Sequence, residues 1–160
     1  ASHTSSISRR VGGSVTGTVQ RFTGAKGLVA YRAAMSCILC ELPGRVDLLA
    51  STDLTAAFLD GFPLNPGHAL VIPRRHVADA MDLTEEEWVD LWGVVREVRG
   101  LLVAEYAPAG FNVGFNSGFA SGQTVPHAHV HVIPRVEGDV DDPRGGIRWV
   151  VPARAKYWDD

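Results

Sequence analysis

Three histidines, His127, His129 and His131, alternate with Ala128, Val130 and Val132, and prolines stand on either side at 126 and 134. A β-strand repeats every two residues, so this order puts three imidazoles on one face and three apolar side chains on the other. Proline donates nothing to a ladder and belongs at strand limits, which bounds the strand at His127–Ile133. Imidazoles are poor partners for apolar packing. The histidine face is therefore expected to be a site or a polar cleft, and the apolar face to meet the core.

The remaining pattern supplies partners for such a strand. Arg45–Leu49, Thr55–Leu59, His68–Ile72 and Phe111–Phe115 read as short strands, and the stretch from Asp60 to Gly67 is rich in turn residues. Thr84 with Glu87 forms a capping box ahead of a long helix. Its apolar stripe runs through Trp88, Leu91, Trp92, Val95, Val98, Leu101 and Leu102 and fades near Tyr106, before Pro108 and Gly110. A shorter helical turn is expected near His76–Met81. Short strands joined by turns fit an antiparallel sheet better than βαβ units, so the fold class is α+β, about five strands with one long and one short helix.

Composition narrows the function classes. A chain of 160 residues with 46% hydrophobic and 21% charged residues has enough material for one domain with its own core. Its net charge of −3 offers no global basic field for nucleic acid. No apolar run is long enough to span a bilayer, and no signal peptide is recognisable, so a cytoplasmic protein without membrane contact is expected. Residues 1–40 carry Arg9, Arg10, Arg21, Lys26 and Arg32 and no acid. Residues 1–27 are read as a flexible basic extension and 28–160 as the folded domain, with a basic arm for an anionic partner as the alternative.

The histidine strand admits two chemical readings, a metal centre using two or three imidazoles, or covalent catalysis with one imidazole as nucleophile. The preceding loop favours the second. Gly118 and Gly122 free the backbone, Asn116, Gln123 and Thr124 add neutral donors, and no carboxylate lies between Asn116 and Arg135. Such surroundings suit a phosphate, and phosphoryl or nucleotidyl chemistry follows. Cys37 and Cys40 are a zinc half-site, a redox pair or simply free thiols; a redox pair lacks the βαβ context it usually has.

The segment from Gln123 to Ile133 (QTVPHAHVHVI) resembles the signature of the histidine triad (HIT) superfamily, His-φ-His-φ-His-φ-φ with φ apolar. Residues 66–73 (PGHALVIP) resemble the family's other recurring segment, and Cys37-Ile38-Leu39-Cys40 the start of many bacterial members. The likeness spans roughly residues 37 to 135. It implies a HIT-like fold, usually a homodimer, and a nucleotide hydrolase acting at the α-phosphorus of a purine nucleotide conjugate, a dinucleoside polyphosphate or a nucleoside phosphoramidate. A nucleotidyltransferase or phosphorylase using the same intermediate, or a non-catalytic nucleotide-binding protein, are the alternatives. By that likeness His129 is the nucleophile, His131 touches a phosphate oxygen or assists the leaving group, His127 orients and His68 buttresses. Asp60 would hold the ribose hydroxyls, and Asn116, Gly122, Gln123 and Thr124 the phosphates. Some bacterial relatives complete a structural zinc with two histidines, which here implies Cys37, Cys40, His76 and His127; the chemistry itself needs no cofactor.

Overall fold

In a computed structural model of the chain, residues 37–158 are described. The basic extension expected at 1–27, and the start of the domain expected at 28, lie outside the described residues. Five antiparallel strands form one sheet in the order β1-β2-β3-β5-β4. They are β1 (Leu48–Ser51), β2 (Thr55–Leu59), β3 (Ala69–Pro73), β4 (Gly110–Gly114) and β5 (Val130–Arg135). A four-residue helix α1 (Ile38–Glu41) precedes the sheet, and the long helix α2 (Glu85–Tyr106) connects β3 to β4.

The two sheet faces are buried differently. Ala57, Ala69, Val71, Val130 and Val132 pack against Leu91, Val94, Val95, Val98 and Leu102 of α2. On the opposite face Ala56, Phe58, Leu70 and Ile72 pack with Leu39 of α1. His131 lies on this second face, opposite Leu70 of β3 and Gly114 of β4. Alternation in β5 thus sends Val130 and Val132 under α2 and His131 the other way, as the spacing predicts.

The capping box is present: Thr84 Oγ1 accepts from the Glu87 N–H, and Glu87 accepts from the Thr84 N–H. The stripe needs one correction. Leu101 is 43% exposed, whereas Val94, absent from the predicted stripe, is buried. At 100° per residue, Val94 shares the sheet-facing arc with Leu91, Val95 and Val98, and Leu101 turns past its edge.

Element bounds shift for local reasons. β1 starts three residues later than expected because Leu42–Gly44 forms a 3₁₀ turn that hydrogen-bonds through Arg45. The short helical turn is the 3₁₀ segment Ala80–Asp82, capped by Asp79. The strand predicted from His127 begins only at Val130. Before that point the backbone follows another partner, the Ala128 N–H donating to Val77 O at 2.7 Å. Beyond the sheet, Gly146–Val150 forms a 3₁₀ helix.

Candidate functional site

On the face opposite α2, the turn 60–68 meets Asn116 and His131. In that turn, Asp60 Oδ1 accepts the Phe62 N–H at 2.9 Å in an Asx turn, and its Oδ2 lies 3.6 Å from His68 Nδ1. Gly67 closes the turn at φ +83°, where a β-carbon would stand 2.9 Å from the Tyr106 ring. This requires glycine twice over, for conformation and for space. Asp60, His68, Asn116 and His131 line one cleft of about 410 Å³, with Phe62 and Leu64 on its rim.

Hydrogen bonding fixes the protons on the imidazoles. The Leu64 N–H donates to His68 Nδ1 at 3.2 Å, so the buried His68 carries its proton on Nε2 and donates to His131 Nδ1 at 3.0 Å. His131 is pushed down to about 4, first by burial and then by His129 and His68, and is neutral at pH 7 with its proton on Nε2. Burial also lowers His68, against the opposing pull of Asp60. A carbonyl only accepts, so His129 must place a proton on Nδ1 to donate to His127 O at 2.7 Å. In the neutral imidazole the lone pair then lies on Nε2, the form that can attack an electrophile. The His129 and His131 ring centroids lie 5.0 Å apart.

His127 does not share that cleft. It is fully buried, its Nε2–H donates to Pro73 O at 2.8 Å, and its Nδ1 lone pair faces the Cys37 and Cys40 sulfurs at 3.5 and 3.4 Å. His76 Nδ1 lies 3.4 Å from Cys40 Sγ. The His127 ring thus lies on the α1 side of the sheet, as His131 does, but in the cysteine cluster and outside the cleft; His127 and His129 both precede the strand, which begins at Val130. Ligand atoms of Cys37, Cys40, His76 and His127 all fall within 4.8 Å of one another. A zinc tetrahedron with ordinary bond lengths has S···N edges of about 3.6 Å, so this donor set fits the ion.

The loop between Asn116 and Thr124 departs from expectation in a telling way. The Gly122 N–H is already given to Phe119 O at 3.0 Å, and Gly122 sits at φ +91°. Gln123 spends both ends of its amide: Oε1 accepts from Gly118 N–H, and Nε2 donates to Ala78 O and Val125 O. These two residues therefore shape the loop and do not present donors to a ligand. Asn116 and Thr124 make no side-chain hydrogen bond among the described residues, which leaves their donors available. The sequence could not separate the two roles, because they depend on how the loop closes on itself and on Ala78. Sequence reasoning also passed over Ser117 and Asp79, joined by a 2.5 Å hydrogen bond beside the loop.

Comparison with known proteins adds an independent line. A family model described as "HIT domain" matches residues 45–138. A bis(5'-nucleosyl)-tetraphosphatase (asymmetrical) of Schizosaccharomyces pombe is 44% identical over 57% of this chain and 50% of its own. An adenosine 5'-monophosphoramidase of the same organism is 39% identical over 63% and 75%. A zinc-bound histidine triad family protein from Mycobacterium smegmatis superposes with a TM-score of 0.59 at 31% identity, covering 65% of this chain and 78% of that one. The chain spans about half the length of several curated relatives it matches.

Proposed function

The chain belongs to the HIT domain family, and from that premise we propose that it is a nucleotide hydrolase working through a nucleotidyl-histidine. His129 Nε2 attacks the α-phosphorus; the N–P bond forms as the bond to the leaving group breaks. Water then cleaves the N–P bond, releasing a nucleoside monophosphate and restoring the imidazole. His131, with its proton on Nε2, donates to a phosphate oxygen or to the departing group. His68 holds His131 in that tautomer, and the His127 carbonyl holds His129 in its own. The observation that carries this reading is the hydrogen bond from His129 Nδ1–H to His127 O, which in the neutral ring places the lone pair on Nε2.

Asp60 accepts the ribose hydroxyls, and Asn116 and Thr124 donate to the phosphates. Gly122 and Gln123 contribute through the shape of the loop. The substrate is a purine nucleotide conjugate, a dinucleoside polyphosphate or a phosphoramidate. Zinc held by Cys37, Cys40, His76 and His127 is structural, and the chemistry draws on no cofactor. The protein acts as a homodimer in the cytoplasm; among the described residues no helix is long and apolar enough to cross a membrane.

The test is a panel of AMP- and GMP-linked dinucleoside polyphosphates and phosphoramidates, with intact mass measured after acid-free quenching. Turnover with a nucleotidyl adduct is expected for the wild type. His129→Ala and His129→Gly should lose turnover by about three orders of magnitude or more while still binding nucleotide. Unchanged activity in either variant overturns the assignment. Nucleoside diphosphate formed in phosphate buffer would mark transfer to phosphate, and binding without product a binding module.

A further inference from the structure

We infer that Asp79 is a positioning residue, which with Ala78 forms a platform that sets where Asn116 and Thr124 present their donors. The inference rests on the proposed hydrolase reading. The donors stand at the two ends of one loop, and each has a neighbour strapped to the same dipeptide. Ser117, next to Asn116, donates its hydroxyl to Asp79 Oδ2 at 2.5 Å. Gln123, next to Thr124, donates its amide to Ala78 O at 2.6 Å.

The platform is itself fixed. Asp79 Oδ1 accepts the Met81 N–H at 2.9 Å, so both carboxylate oxygens are occupied. The Ala128 N–H donates to Val77 O, and Val77, Ala80 and Ala128 form a buried cluster beneath. Between the straps the loop is tied to itself, the single Ser121 hydroxyl proton shared between the carbonyls of Ser117 and Gly118, each 2.7 Å from Oγ. A carboxylate beside a loop meant for phosphate is unfavourable on charge alone. Its use is mechanical: an ionised acceptor makes a hydroxyl bond roughly twice as strong as a neutral one. Asn116 and Thr124 meet oxygens whose charge grows in the transition state, so misplacing them costs turnover more than binding.

The experiment uses the full chain with Ser117→Ala, Asp79→Ala, the double variant and Ser117→Thr. It reads kcat and KM on an adenosine-linked dinucleoside polyphosphate, together with amide hydrogen exchange across 116–124. Each single alanine variant should lower kcat/KM about tenfold, mainly through kcat, and the double no further than either. Ser117→Thr keeps the hydroxyl and should stay near wild type. Exchange should quicken in 116–124 and not in α2. Losses that multiply in the double variant, a change in KM alone, or unaltered loop exchange would overturn the strap. If the wild type turns over no substrate in the panel, the hydrolase reading fails. The exchange comparison then decides alone, faster loop exchange in Ser117→Ala supporting the platform and unchanged exchange refuting it.

Discussion

His131 lies in the sheet between Leu70 of β3 and Gly114 of β4, with Nδ1 committed to His68. Folding holds its pKa near 4, below the ordinary value of 6.5, with burial the main cause. The unfolded chain therefore takes up a proton that the folded one refuses. The stability this group supports is complete above pH 6.5 and declines as pH falls toward 4. Chemical denaturation across that window should show a loss of up to about 3 kcal/mol, and His131→Gln should flatten that limb. A stability profile that does not differ between the two proteins would contradict it. At this scale the alternation in sequence was enough to single out His129 and His131. It could not reveal where His127 goes, because the Pro73 carbonyl and the thiols that claim its ring lie 54 to 90 residues away. The work done by Gln123 was hidden for the same reason, its partner Ala78 being 45 residues upstream.

α2 is held by devices at both ends. At its start Glu87 serves the cap and also takes two hydrogen bonds from Arg75, at 2.7 and 2.8 Å, which with the Thr84 N–H hold its carboxyl down at about 2. Thr84→Ala should cost about 1 kcal/mol in unfolding free energy, the usual worth of a cap. At its end Ala107 adopts φ +46°, a left-handed conformation that glycine takes without strain. Ala107→Gly should therefore raise stability, by about 0.5–1 kcal/mol, measured by the same denaturation. These termini were plain in the sequence because capping is local chemistry. The β5 start was not, since the hydrogen bond from Ala128 to Val77 that delays it is a tertiary choice.

Across the whole molecule two centres share one residue. The His127 ring belongs to the cysteine cluster, while its carbonyl fixes the His129 proton. Elemental analysis should find one zinc per chain, and chelation should lower the melting temperature by about 3 °C for each kcal/mol of binding energy lost. Cys37→Ser with Cys40→Ser should reproduce that shift; an unaltered melt would refute a structural ion. Among the described residues β4 is an edge strand, paired with β5 alone. Light scattering should return twice the chain mass of 17.2 kDa, and a 17.2 kDa species would refute the dimer.

Asn65 donates both to Pro134 O and to Asp139, and Asp139 clasps Arg135 through two further hydrogen bonds. The turn that carries Asp60 and His68 is thereby riveted to the far end of the strand that carries His131. Floor and back wall of the cleft form one rigid body, like a fixed jaw. Opposite it stands the Asn116–Thr124 loop, itself strapped to Asp79 and Ala78, so both jaws are braced before a nucleotide arrives.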